Sequence, residues 1–432
     1  MNERPRPFGV LLMLAIASSM AVGQYLETTI PVGDSPAEIV WADAVNKVYV
    51  ANTQDASVTV IDGSTNDVVA TIPVGDYPGF LCWNPRENKV YCTRGDGDRL
   101  VVIDAIGDTV TREVSVPYYP GHMVYNQTMN KLYVSCSDDP VYRISVLDCG
   151  PDTVLRNIPV KGVGRLLWHP VTNRIFCYSD LDMDTAKVID CETDEVAGMV
   201  PVDNGGYFLG CWCHSPVNGL VYLAGRRSVY VLTPTGDSLV TAVPVLGRDL
   251  EFGPYPNKIF AVSGATFAID GSTNTVIDSL SVPGSQLACD TQLDKLYSVH
   301  LNSRSLYIID AQADSLLMTI PLGRSPERLS WNSINNRIYI SDFLDNTVSV
   351  IRDTSTGVTE HAGSRLPPKP AATVVRHNYY HSGQTPDALL DACGRKVLRV
   401  QPGSNDLSQL VPGVYTLLGG ESGQRRRLMK LK

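Results

Sequence analysis

Beyond residue 23 no stretch is apolar for long enough to cross a bilayer, so a transmembrane span is not expected. The chain shows no Ser-His-Asp order, no phosphate-binding glycine loop and no paired-carboxylate motif. The usual sequence grounds for assigning an enzyme are therefore missing. Basic charge is also short: 36 Lys and Arg stand against 45 Asp and Glu, a net charge of −9. Non-specific nucleic-acid binding rests on basic fields, so no nucleic-acid partner is expected. Histidine is scarce, with 7 in 432 residues. The 10 cysteines fall singly on strand-like positions, which suits buried small hydrophobes better than a disulfide framework.

What the chain does have is a repeat. Asn46-Lys47-Val48-Tyr49-Val50-Ala51-Asn52 returns with small changes, its aromatic recurring at Tyr91, Tyr133, Phe176, Tyr222, Phe260, Tyr297 and Tyr339. The spacings are 42, 42, 43, 46, 38, 37 and 42 residues. A period near forty without a helical pattern inside it predicts a β-propeller, one four-stranded blade per copy. The first copy gives strands A to D at about Ala37–Trp41, Lys47–Ala51, Ser57–Ile61 and Val68–Val74. Asp62, Asp104, Asp148, Asp190, Asp270 and Asp310 keep one register after strand C and are expected to form turns rather than bind metal. The D strands end in aliphatic-Pro-aliphatic segments such as Ile72-Pro73-Val74, and proline belongs on an edge strand.

Residues 1–23 have a charged start, an apolar run from Phe8 to Ile16 and a small-residue end, the pattern of a secretory signal peptide. Leu26-Glu27-Thr28-Thr29-Ile30-Pro31-Val32 follows, a D strand with no A, B or C before it. The last copy has A, B and C but no D. The N-terminal strand is thus expected to complete the last blade and close an eight-bladed ring over residues 24–353. Seven blades with one degenerate copy is the alternative. Residues 354–370 are a polar and proline-rich linker, and residues 371–432 a small β-sandwich-like module.

Counting back from each anchor aromatic places the interior. Eight back stand Trp41, Trp83, Tyr125, Trp168, His214, Phe252, Cys289 and Trp331, and ten back Ile39, Leu81, Met123, Leu166, Trp212, Leu250, Leu287 and Leu329. Both columns are expected between blades. Eleven back, facing the channel, are Glu38, Phe80, His122, Arg165, Cys211, Asp249, Gln286 and Arg328. No residue type repeats there often enough to build a metal ring, and Cys211-Trp212-Cys213-His214 lacks two further ligands. Loops preceding strand A converge on one mouth, which makes it the expected binding face. The candidates are Glu38, Phe80, His122, Arg165, Asp249, Gln286 and Arg328 in the channel, with Tyr77, Tyr118 and Tyr119 on the loops; Asp76, Lys161, Asn204, Arg248 and Arg324 lie on the same loops.

The repeats, with Asn-Lys-Val-Tyr-Val-Ala-Asn and a later Val-Ile-Asp, resemble the YVTN family of β-propeller repeats, also described as YncE-like. The C-terminal module resembles the type IX secretion system type A sorting domain. The resemblance rests on Leu389-Leu390-Asp391-Ala392-Cys393-Gly394-Arg395-Lys396-Val397, Asn405-Asp406-Leu407-Ser408-Gln409-Leu410 and Pro412-Gly413-Val414-Tyr415. It implies Gly394, Arg395, Gly413 and Tyr415 as sorting-motif residues, the export machinery as a partner, and passage to the cell surface or medium, with the periplasm as the alternative. The expected function is a non-enzymatic scaffold that binds an extracellular polymer or protein and needs no cofactor. The propeller resemblance also includes lactonases and lyases that hold a divalent cation in the channel. Under that alternative Ca²⁺ would sit near Glu38 and Asp249, a poor donor set beside two arginines.

Overall fold

The computed structural model describes residues 23–354, except 96, 138–141, 162, 180–184, 203–210 and 254–256, and parts of 373–430. The signal-peptide residues 1–22, Asn204, Gly394, Arg395 and nearly all of the linker lie outside the described residues.

Eight four-stranded antiparallel sheets follow one another in a ring, and no helix occurs among the described residues. Blade 1 consists of Pro36–Ala42, Lys47–Asn52, Ser57–Asp62 and Val68–Pro73. The A strands of blades 2 to 7 begin at Pro78, Pro120, Val163, Trp212, Asp249 and Gln286. Blade 8 takes Pro326–Asn332, Arg337–Asp342 and Thr347–Asp353, and its fourth strand is Gln24–Pro31. The count is eight, not seven, and the chain closes as its strand inventory requires.

The closing strand reproduces an ordinary D strand in detail. In each other blade the C–D pair is interrupted by one bulge, for example between Val60 and Ile61. In blade 8 the bulge falls between Leu26 and Thr28, so Glu27 is the extra residue. Its carboxylate there accepts from Arg337 Nε and Nη2, both at 2.7 Å, a bidentate pair.

The core lies between blades. Tyr49 packs with Val40, Val58 and Val60 against Val90, Leu81 and Trp83 of the next blade, while Ile39, Trp41 and Val48 pack against Tyr339, Val348 and Val350 of blade 8. The eight-back and ten-back columns therefore face the preceding blade, as side chains alternate along a strand.

The anchor motif has a second purpose that the period alone does not reveal. Lys47 Nζ donates to Asp108 Oδ2 at 2.6 Å and Tyr49 OH to Oδ1 of the same carboxylate at 2.9 Å, across to the C–D turn of blade 2. Lys89 and Tyr91 hold Asp152, and Lys131 and Tyr133 hold Asp194, each bond at 2.7 Å. Lys295 and Tyr297 hold Asp353 at 2.6 and 2.8 Å. The Lys-x-Tyr pair is a clamp between successive blades, and the buried phenol is satisfied by it. Asp108, Asp152 and Asp194 take φ of 52°, 54° and 55°, a left-handed turn conformation that Asp tolerates.

Blade 6 breaks the pattern. Lys258 Nζ still reaches Asp314 Oδ2 at 2.5 Å, but the anchor is Phe260, and Asp314 Oδ1 is buried without a partner. Burial raises the Asp314 carboxyl above its ordinary range against the opposing pull of Lys258. Phe260→Tyr is expected to supply the missing donor and raise stability by about 1 kcal/mol, read as a higher urea midpoint at unchanged slope.

The turn Asp residues behave as their register predicts. Asp62 Oδ1 accepts from Ser64 N and Thr65 N, and Asp270 Oδ1 from Ser272 N and Thr273 N, at 2.7 to 3.2 Å. The nine cysteines among the described residues form no disulfide.

Within 373–430 five strands form one sheet in the order Thr373–Val375, Arg425–Lys430, Gly413–Leu418, Asp387–Leu390, Lys396–Val400. Asn378–His381 pairs separately with Gly403–Asp406. Gly413 and Tyr415 lie on the third strand of the larger sheet.

Candidate functional site

Strand A starts at the face that also carries the B–C loops, and in blades 8 and 1 to 4 its first pairing slips, as between Pro36 and Ile39. The slip sets two residues against one next to the eleven-back position. Blades 5 to 7 pair regularly there, with Asp249 opposite Val262 and Gln286 opposite Val299.

The eleven-back residues contact their neighbours around the mouth. Arg328 Nε donates to Glu38 Oε2 at 3.3 Å, from blade 8 to blade 1. Phe80 meets His122 edge to face, ring centroids 5.8 Å apart. His122 Nδ1 accepts from Leu166 N of blade 4 at 3.1 Å. Arg165 Nη1 lies 3.0 Å from Cys211 Sγ and 3.9 Å from Asp249 Oδ1, Cys211 Sγ donates to Asp249 Oδ1, and Asp249 Oδ2 accepts from Leu287 N at 2.8 Å. Gln286 is half-buried with its Oε1 unpartnered. The ring thus brings Glu38 to Arg328 and Arg165 to Asp249. Its charges neutralise one another in pairs.

Burial pushes the Glu38 carboxyl above its usual range, against the opposing pull of Arg328 and Arg165. His122 is driven down to about 3, by burial first and then by Arg165 and Arg328, so its imidazole is neutral with Nδ1 free to accept.

Sequence reasoning missed Glu251. It stands nine back from Phe260, where the other copies carry Val40, Cys82, Val124, Leu167, Cys213, Ala288 and Ser330. That lone carboxylate in an otherwise uncharged column was the available signal. Burial, then Asp249, raises its pKa to about 8. A carboxyl raised from 4.5 to about 8 binds more protons folded than unfolded between those values, so it lowers stability as pH rises through that window. His122 acts at the other end: the unfolded chain takes up its proton below 6.5 while the folded one does not, so stability is lost as pH falls from there towards 3. Glu251→Gln is expected to flatten the upper part of the decline, from about 6, up to which Asp342 also contributes, to about 8, measured as urea midpoints across that window.

The histidines of blades 4 and 5 have structural partners. His169 Nδ1 is 2.9 Å from Thr172 Oγ1 and Nε2 3.0 Å from Gly219 O, and His214 stacks edge to face on His169 at 5.3 Å. Among the described residues no three His, Cys, Asp or Glu side chains are grouped to hold a metal ion.

The loop candidates are placed differently from the ring. Tyr77, Tyr118 and Tyr119 are 50%, 53% and 59% exposed, on the adjoining blade 1–2 and blade 2–3 connections. Lys161 and Arg248 are also exposed, and Arg324 Nε pairs with Asp345 Oδ1 at 2.5 Å.

No family model matches the sequence, and no curated relative does. Solved structures match the ring. Saccharomyces cerevisiae Sqt1 aligns over 76% of this chain and 98% of its own at a TM-score of 0.64 and 11% identity. The dihydro-heme d1 dehydrogenase NirN covers 77% and 76% at 0.61 and 14%, and the Kuenenia stuttgartiensis hydrazine synthase 75% and 96% at 0.54 and 16%. At these identities the likeness is one of fold, and the fold is an eight-bladed β-propeller.

Proposed function

We propose that this chain is an exported, non-enzymatic binding scaffold of the YVTN type, which presents the face bearing the strand A entrances to a ligand and is routed by a type IX sorting module at its C-terminus. The observation that carries the reading is the division of that face. Glu38 is engaged with Arg328 and Arg165 with Asp249, while three tyrosines stand exposed on the connections into strand A. Charges already paired in a half-buried ring hold blades together and leave little to offer a reacting group. Exposed aromatic rings on fixed loops offer contact area.

The competing reading, a cation-dependent hydrolase or lyase, needs Glu38 and Asp249 free to bind Ca²⁺. Glu38 sits on blade 1 and Asp249 on blade 6, each against an arginine. Hard cations take six or more oxygen ligands, and an adjoining guanidinium opposes them. The full chain, assayed on lactone and ester panels with CaCl₂ or with chelator, is expected to give no cation-dependent turnover. Turnover that disappears in Glu38→Ala or Asp249→Ala would replace the scaffold reading with the enzymatic one.

A further inference from the structure

Four of the connections into strand A share one turn. Ser35, Tyr77, Tyr119 and Ser325 each precede a proline and take φ of 58°, 51°, 53° and 57°. In each turn the carbonyl of that residue accepts the N–H that follows strand B: Thr53 to Ser35, Gly95 to Tyr77, Ser137 to Tyr119 and Phe343 to Ser325, at 2.8 to 3.2 Å. The turn is the same whether it carries serine or tyrosine. A bulky side chain at positive φ is unfavourable, and one left half exposed or more returns little burial. The fold therefore does not explain Tyr77 and Tyr119.

What sets these two apart is where they stand. They occupy consecutive connections, and Tyr118 joins them, its ring centroid 6.2 Å from that of Tyr119 and tilted by 60°. Tyr119 N also donates to Gly97 O at 2.9 Å, tying the blade 3 entrance to the B–C loop of blade 2. Tyr119 is thus held at both its N–H and its carbonyl, and Tyr77 at its carbonyl, so little ordering of these two is left for a ligand to impose. Each ring ends in a hydroxyl, and the exposed carboxylate of Asp76 adjoins Tyr77.

We infer that Tyr77, Tyr118 and Tyr119 form a platform for a neutral glycan chain, which rests on the proposed role of this face in binding. A sugar ring has a C–H face that packs on an aromatic ring and a rim of hydroxyls that bond to phenols and carboxylates. Asp76 and the net charge of −9 disfavour a polyanion. A protein partner fits less well. Three half-exposed tyrosines at roughly 200 Å² for a whole side chain offer far less than the about 800 Å² per partner of a standard interface.

The test uses the purified full chain and extracellular matrix from the native cells, presented untreated, periodate-oxidised or protease-digested. Binding is expected to survive protease, to be lost after periodate, and to weaken about ten-fold or more in Tyr77→Ser/Tyr119→Ser. That variant installs the residue found in the two equivalent turns, so its thermal melt is expected to match wild type. Binding lost to protease alone overturns the glycan and leaves the scaffold reading standing. Undiminished binding by the folded double variant overturns the assignment to these rings. No binding to any matrix removes both readings.

Discussion

A chain lacking Gln24–Pro31 is expected to lose at least about 5 kcal/mol of stability, or to fail to fold as a monomer. The strand supplies the whole fourth row of blade 8, pairing with Thr347–Asp353 from end to end. It buries Ile30 among Val48, Val348 and Val350 and brings Glu27 to Arg337. Without it Arg337, whose side chain is 5% exposed, loses the carboxylate that pairs with it, and the third strand of blade 8 becomes an open edge. Urea unfolding of the truncated chain measures the loss, and added Gln24–Pro31 peptide should restore part of it. A truncated chain with an unchanged midpoint would mean that the ring is closed by something other than this strand.

The second large effect belongs to Asp353→Ala, with an expected loss of about 3–5 kcal/mol. Asp353 is 2% exposed and accepts from Lys295 Nζ, Tyr297 OH and, at 3.1 Å, Gln24 Nε2. It replaces the turn residue that an ordinary blade supplies between strands C and D, because blade 8 has no such turn. The same carboxylate therefore clamps blade 7 to blade 8 and touches the closing strand. Removing it takes from Lys295 and Tyr297 the carboxylate that both donate to. Lys295→Met added to Asp353→Ala should recover part of the loss, since Lys295 and Asp353 act as a pair and their effects do not add. Additive losses would show the two residues to act independently.

The blade count and the ring closure were readable because each copy states the same four strands, and because one D strand stood at the wrong end of the chain. The clamp was not readable from the period. Lys47 and Asp108 are 61 residues apart, and their meeting requires blade 2 to turn its C–D connection under blade 1. The repeat did carry the trace, since the anchor Lys-x-Tyr and a later Asp recur together. The one phenylalanine facing such an Asp, Phe260, leaves an unpartnered oxygen.

Counting groups the eleven-back residues into one column, but their chemistry depends on neighbours that counting does not supply. Counting puts Glu38 in one column with two arginines, but only the structure sets Arg328 against it, at 3.3 Å. The bulges that aim these side chains depend on pairing register, and no residue type marks them. Tyr77 and Tyr119 were visible as loop aromatics, yet only the backbone shows them in a conformation that their serine counterparts adopt more easily.

The proposal that this propeller works outside the cell is tested most directly by where the native chain is found and what mass it has. Fractionated cells should hold it at the surface or in the medium, beginning near Gln24 and cut after roughly residue 367. A chain recovered in the periplasm and still ending at Lys432 would contradict the sorting role of the C-terminal module. Recovery inside the cell with Met1 retained would contradict export altogether.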